Sequence, residues 1–303
     1  ETGATGSPRA GNLVTSSRAT SAADRETADM SLDEHRAANL ANWNERVAGH
    51  TANDGYGIAA LVADPDHISD VVAFDRDAFG AVDGRTLLHS QCHIGTDTVS
   101  WAKLGAVVTG IDFSPTALAA ARSLAERVGV KATFVETELY DAPQHVPEQF
   151  DCVYTSVGAI NWLPDIAEWG QVMAGFVKPG GQFYIRDTHP MLSTLDDERS
   201  DELMTVTLPY FETASPLRWE SDQSYAGSAT LTNTINYEWN HSIAEVVMAL
   251  LDAGLVLDEL RELTHLDWPY FSFMEAEGER WYLPADRRLQ VPLQFSIRAH
   301  KPG

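Results

Sequence analysis

Between Thr86 and Ser114 the chain reads Thr-Leu-Leu-His-Ser-Gln-Cys-His-Ile-Gly-Thr-Asp and ends on Gly110-Ile111-Asp112-Phe113-Ser114. An apolar strand, a tight loop, a helix and a second strand closing on a carboxylate follow one another. A helix that starts directly after a tight loop turns its first backbone N–H groups toward a carboxylate or phosphate. An acid at the end of the neighbouring strand can accept hydrogen bonds from paired ribose hydroxyls. The segment has the form of the nucleotide-binding half of a doubly wound α/β fold. Glycines, which let backbone approach such a ligand, are mostly missing from the loop.

The elements that must position these residues are well marked. Strand one is expected over Thr86–Ser90, with a helix from Thr96 to Leu104 stopped by Gly105. Strand two covers Val107–Ile111, and the next helix has Ser114 as N-cap, Pro115 at its first position and Gly129 past its end. Strands three and four are expected at Ala132–Glu136 and Phe150–Thr155, and a helix at Ile166–Phe176. Lys178-Pro-Gly-Gly181 then turns the chain into strand five, Gln182–Arg186. Strands alternating with helices imply a parallel sheet covered on both faces.

The chain divides into five segments, of which this core is one. Residues 1–28 are rich in Ser, Thr, Ala and Gly without a hydrophobic period, so disorder is expected. Residues 29–84 form a helical cap, in which Ser31-Leu-Asp-Glu34 has the pattern of a capping box. Ala38, Leu40, Ala41 and Trp43 follow at helical spacing, with a second helical stretch over Ile68–Phe79. The cofactor-binding core covers 85–190. After His189-Pro190 the alternation stops, and 191–240 reads as a lid with β-like runs at Met204–Leu208 and Ala229–Ile235. Residues 241–303 complete the sheet through a helix at Ser242–Asp252, strand six at Leu257–Leu263 and a last strand at Gln294–Ala299. The fold class is α/β: a Rossmann-like, doubly wound, seven-stranded, mostly parallel sheet with a helical cap and a lid inserted after strand five.

Composition narrows the function. The chain of 303 residues carries a formal net charge of −23, and it has no Lys/Arg cluster dense enough to follow a polyphosphate. Nucleic acid is therefore not an expected partner. No apolar run is long enough to span a membrane, and the first residues carry no apolar leader core. Cys92 and Cys152 both sit in or beside apolar strands and lack Cys-x-x-Cys spacing. Free buried thiols in a reducing, cytoplasmic setting are expected, with no metal site. A Gly-x-Ser-x-Gly elbow and a phosphate-binding P-loop are both absent.

The order of these signals resembles the class I S-adenosylmethionine-dependent methyltransferases, over roughly 84–188. The features that carry the resemblance are the loop after strand one, Asp112 closing strand two, Glu138 after strand three, the Phe150-Asp-Cys-Val-Tyr strand and the Lys178-Pro-Gly-Gly181 hairpin. The flanking Tyr237-Glu-Trp-Asn-His241 is also similar to a bacterial branch of that superfamily. The family loop is an acid followed by three alternating glycines. Here His89 stands for the acid, and Gln91, His93 and Gly95 for the glycines. The resemblance implies S-adenosylmethionine as cofactor. Gln91, His93 and Gly95 would hold its methionine end, Asp97 its ammonium group and Asp112 its ribose. Phe113, Glu138 and Leu139 would hold its adenine, and Ser156 would border its sulfonium.

Acceptor chemistry is less legible. Asn161 and Trp162 follow strand four, at the crevice where ligands of open α/β sheets bind. Tyr56 from the cap and Tyr210, Phe211, Trp219 and Tyr225 from the lid can enclose an organic acceptor. His189 and His241 are the candidate bases, because an imidazole titrates near neutrality. The expected activity is transfer of a methyl group to a small organic acceptor by in-line displacement, in a monomer or homodimer. Oxygen, nitrogen and carbon acceptors all stay open. Two alternatives stand beside it: a same-fold enzyme of non-methylating chemistry, such as a cyclase, and a non-catalytic binding protein.

Overall fold

A computed structural model describes residues 30–52, 56–197, 199–224 and 230–303. The expectation of disorder for 1–28, and Tyr225, lie outside the described residues. Three helices precede the sheet: α1 (Leu32–Ala52), α2 (Ile58–Ala63) and α3 (Asp70–Phe79). The alternation then runs β1 (Thr86–Ser90), α4 (Thr96–Lys103), β2 (Val107–Asp112), α5 (Pro115–Val128), β3 (Ala132–Glu136), α6 (Ala142–His145), β4 (Phe150–Thr155), α7 (Ile166–Phe176) and β5 (Val177–Thr188). The segment after β5 contributes the hairpin β6 (Leu217–Glu220) and β7 (Ile235–Glu238). The chain continues through α8 (Ile243–Asp252), β8 (Val256–Leu263), a small sheet of β9 (His265–Leu266), β10 (Glu275–Glu277) and β11 (Arg280–Tyr282), and finally β12 (Gln294–His300).

The main sheet has seven strands in the order β3-β2-β1-β4-β5-β12-β8. β1 to β5 pair in parallel, whereas β12 runs antiparallel to both β5 and β8. Leu87 and Leu88, adjacent on β1, are both fully buried. That is expected of a strand covered on both faces. α5 begins where its signals place it: Ser114 Oγ accepts the Ala117 N–H at 3.0 Å, and Gly129 ends the helix at φ +79°. The strand order reverses between β1 and β4, which opens a crevice at their C-terminal ends.

Four details depart from expectation. β5 runs from Val177, but Lys178–Gly181 still turns the chain: Val177 pairs with Phe150 and Gln182 with Cys152, so the segment bulges opposite Asp151, and Gly180 has φ +74°. The Gly180 N–H bonds Lys301 O and the Lys301 N–H bonds Gly181 O, so a residue beyond β12 holds this bulge. The run Met204–Leu208 gives a single bridge, Val206 to Leu195; of the run Ala229–Ile235, Ala229 lies outside the described residues, Thr230 bridges Gln223 and Ile235 opens β7. A β-forming sequence without a paired neighbour stays irregular. The stretch 264–293 builds β9–β11, and its Leu266, Phe271 and Leu283 pack with Leu192 and Leu195 in one apolar cluster. Finally, the buried face of α1 is not the apolar one. His35, Asn39, Asn42, Arg46 and His50 are buried, while Ala38, Leu40, Ala41 and Trp43 are half-buried.

Candidate functional site

The loop between β1 and α4 keeps the backbone of a glycine loop. Gln91 has φ +51°, His93 +49° and Gly95 +77°, so three alternating residues are left-handed. Non-glycine residues in that region are strained and persist when their surroundings over-determine them. Gly95 is obligatory on a second ground: a Cβ there would lie 2.7 Å from Ala121 Cβ on α5.

Side chains on all sides hold the two strained positions. Gln91 Nε2 donates to Ala159 O at 2.9 Å, linking the loop to the turn after β4. Its Oε1 is buried without a hydrogen-bond partner. The His93 N–H donates to Asp112 Oδ2 at 2.8 Å, and the Ser114 N–H to Oδ1 at 2.9 Å. Asp112 is 7% exposed, and burial pushes its carboxyl up to about 6 against those N–H donors. Each carboxylate oxygen retains a second lone pair for a hydroxyl.

α1 closes over this crevice along its whole length. Arg36 Nε lies 3.7 Å from Glu138 Oε1, and Asn44 Oδ1 accepts from Ser114 Oγ at 2.6 Å. The Trp43 ring meets His93 at 5.0 Å and Trp162 at 5.1 Å. His50 Nδ1 and His93 Nε2 lie 2.8 Å apart, one donating to the other, and Tyr56 stacks on His50 at 5.1 Å. Burial, with Arg46 nearby, brings both imidazoles down to about 3, so they are neutral donors and acceptors at physiological pH.

His89 replaces the family acid in a different manner. Its Nδ1 meets Thr98 Oγ1 at 2.8 Å and its Nε2 meets Ser156 Oγ at 3.0 Å, which joins β1, α4 and the β4 crevice. Burial holds it at about 3. Asp97 accepts from Ser69 Oγ at 2.7 Å, and burial raises it to about 6. Asp187, on β5, fixes the turn after β4 by accepting from the N–H groups of Gly158 (2.6 Å), Ala159 (3.1 Å) and Ile160 (3.2 Å).

The structure therefore brings together Gln91, His93, Gly95, Asp97, Asp112, Ser156, Asn161, Trp162 and Tyr56, with half-buried Phe113 following Asp112. Glu138 borders the cleft under α1, where its Oε2 accepts the Tyr140 N–H at 2.7 Å. Three expected residues stand apart. Leu139 is 4% exposed and packs in the core with Ala142, Val146 and Phe150. His189 accepts the Met191 N–H on Nδ1 at 3.0 Å, and its Nε2 meets Glu262 of β8 at 2.9 Å. His241 has Nε2 on Leu163 O at 2.8 Å and Nδ1 2.7 Å from Glu212. Both histidines have their ring nitrogens committed to structural partners.

Residues that sequence reasoning did not single out are His50, Trp43, Asp187 and Glu238. His50 lies on α1 within a polar stripe of helical period, and Trp43 lies on the same helix outside that stripe. Glu238 lies inside the quoted Tyr237–His241 motif, and burial brings it up to about 7 against a hydrogen bond from the Asn161 side chain and the charge of Arg46.

With this geometry in hand, comparison with known proteins defines the class. Residues 88–183 match the family described as a methyltransferase domain. Ubiquinone biosynthesis O-methyltransferase of Aeromonas salmonicida is 32% identical over 109 residues, 36% of this chain and 45% of that protein. Its counterpart in Photorhabdus laumondii is 30% identical over 127 residues, covering 42% and 50% respectively. The chain thus spans about half the length of the curated relatives it matches. A putative S-adenosylmethionine-dependent methyltransferase structure from Listeria monocytogenes superposes with a TM-score of 0.55 at 15% identity, over 77% of this chain and 98% of that one. One from Mesorhizobium loti gives 0.52 at 15% identity, over 80% and 100%. Residues 88–183 thus match a methyltransferase domain, and the fold is that of S-adenosylmethionine-dependent methyltransferase structures.

Among the described residues no helix is long and apolar enough to cross a membrane, and no group of three or more His, Cys, Asp or Glu residues could hold a metal ion.

Proposed function

We propose that the chain binds S-adenosylmethionine in the crevice between β1 and β4 and transfers its methyl group to a small organic acceptor. One observation carries the reading: the left-handed backbone at Gln91, His93 and Gly95, closed on Asp112 through the His93 N–H. The donor set fits such a cofactor. Gln91 Oε1, buried and unpartnered, accepts an ammonium proton, and Asp97 offers a second acceptor. Asp112 takes the ribose hydroxyls, and Phe113 and Glu138 flank the base beneath α1.

When bound, the cofactor supplies an activated methyl group on a sulfonium. What the chain adds is alignment and exclusion of water, which account for most of the barrier reduction in such a transfer. Asp187 holds the Gly158–Ile160 turn in place, and His89 ties Ser156 to Thr98. Trp43, Tyr56 and Trp162 roof the acceptor side. His189 and His241 do not act as bases in this reading, because their ring nitrogens serve the β5–β8 and lid contacts.

Calorimetric titration of the full chain with S-adenosylmethionine and S-adenosylhomocysteine tests the proposal. Micromolar binding lost in Asp112→Ala supports it. No binding of either compound at sub-millimolar concentration refutes it. With an acceptor in hand, mass spectrometry separates transfer from cyclisation: product heavier by one methylene against an isomer of unchanged mass.

A further inference from the structure

The two faces of the lid hairpin differ in chemistry. Leu217 pairs directly with Glu238 and Trp219 with Asn236, so these four side chains share one face of the ribbon. The opposite face carries Arg218, Glu220, Ile235 and Tyr237. There Arg218 pairs with Glu220 at 2.8 Å and Tyr237 packs on His35 of α1 at 4.4 Å. That second face is accounted for.

The first face is not. Trp219 Nε1 and Asn236 Oδ1 are both buried without a hydrogen-bond partner, although Asn236 is 5% exposed. A desolvated polar atom left unpaired costs free energy, so a cluster of them calls for an explanation such as a ligand. The same face carries Glu238, which is bonded by the Asn161 side chain and is therefore turned toward the crevice. The backbone repeats the link, since the Trp239 N–H donates to Asn161 O at 2.8 Å.

We infer that the Trp219–Asn236–Glu238 face of the β6–β7 hairpin recognises the methyl acceptor, and that it takes an organic amine held through its N–H groups. The inference rests on the methyl-transfer reading above. On this face two of three polar functions accept hydrogen bonds, and Asn161 borders it. A carboxylate placed there would oppose Glu238 and the Asn236 carbonyl. A hydroxyl offers one proton, whereas an ammonium group offers up to three and gains from the ring faces of Trp162 and Trp219.

The charges around Glu238 can be named element by element. From α1 come Arg46, whose Nε donates to Asn42 Oδ1 at 2.6 Å, and the imidazoles of His35 and His50. Glu45 is engaged with Thr232 and Asn233, and Arg36 faces Glu138. From β6 come Arg218 and Glu220, paired on the opposite face. The turn after β4 contributes neutral Asn161 and Trp162. With a carboxyl brought to about 7 by burial, Glu238 is protonated below neutrality and ionised above it. Affinity for a cation must then rise with pH across that range.

Benzylamine, benzyl alcohol and benzoate are titrated into the full chain by ligand-observed NMR between about pH 6 and about pH 8. S-adenosylhomocysteine is titrated separately by calorimetry. Benzylamine is expected to bind at least ~5-fold more tightly than benzyl alcohol, with its affinity rising ~5- to 10-fold over the pH range, and benzoate not to bind. Glu238→Gln abolishes the pH dependence, and Trp219→Leu, which removes the aromatic face, weakens benzylamine ~3-fold. Both variants keep S-adenosylhomocysteine affinity within about two-fold of the parent chain. Equal binding of amine and alcohol, an unchanged pH profile in Glu238→Gln, or a parallel loss of S-adenosylhomocysteine affinity overturns the inference. A parent chain that takes benzylamine as expected but not S-adenosylhomocysteine overturns the methyl-transfer reading and leaves the amine site standing.

Discussion

The strained loop supplies the most direct test, because backbone and side chain can be separated at Gln91. A left-handed conformation costs an L-residue about 1–2 kcal/mol. Glycine avoids that cost but loses about 0.4–1 kcal/mol through its freer unfolded chain. Gln91→Ala keeps the strain and removes the 2.9 Å bond to Ala159 O, whereas Gln91→Gly removes both. The difference between the two variants isolates the backbone, and Gln91→Gly should be the more stable by about 0.5–1 kcal/mol. In a chain of this size that is about 2 °C in Tm. His93→Gly against His93→Ala should repeat the sign. Ala119→Gly on the exposed side of α5 is the control, and there glycine should cost about 1 kcal/mol. Urea unfolding and differential scanning calorimetry read all five variants. The S-adenosylhomocysteine affinity of Gln91→Gly should still fall ~5- to 10-fold, since the tether to the β4 turn and the buried acceptor are gone. Alanine variants as stable as the glycine variants would mean that the loop does not hold the left-handed backbone, and the central argument for the cofactor site would fail.

Asp187→Asn keeps the shape but replaces a carboxylate that accepts four N–H groups, at 2.6–3.2 Å, with an amide that has one accepting oxygen. We expect a loss of about 2–3 kcal/mol in urea unfolding and at least ~10-fold weaker S-adenosylhomocysteine binding. The raised carboxyls of Asp97 and Asp112, both at about 6, hold protons in the folded chain that the unfolded chain has already released. Their contribution to stability is fully present below about pH 4 and is lost as pH rises through about 6. Cofactor affinity follows the ionised form of Asp112, so it should fall up to ~10-fold per pH unit below about 6, and Asp112→Asn should flatten that profile in calorimetry. His241→Gln should cost about 1–3 kcal/mol in thermal unfolding, because it breaks the Leu163 and Glu212 contacts, and leave S-adenosylhomocysteine affinity within about two-fold.

Local signals were the legible part of this chain. Ser114, Pro115 and Gly129 bound α5 because capping depends on residues a few positions apart, and β1, β3 and β4 follow apolar runs that need only a buried sheet to form. What escaped notice depends on partners distant in sequence. Asn39 on α1 bonds the Tyr237 backbone through both ends of its amide, at 2.8 Å each, and Asn42 donates to Asn233 O at 2.6 Å. An apolar period along α1 pointed to the wrong face because its partner offers backbone polar groups, which favour amides and imidazoles over Leu40. The positions 35, 39, 42, 46 and 50 do share a helical period, and a polar stripe of that kind is a signal in itself. The same reasoning bears on the general base. An imidazole's ordinary titration range points to His189 and His241, yet burial and long-range partners set a group's ionisation more than its type does. Burial drives His50, His89 and His93 to neutrality and brings Glu238 of β7 up to about 7, the range in which an imidazole ordinarily titrates.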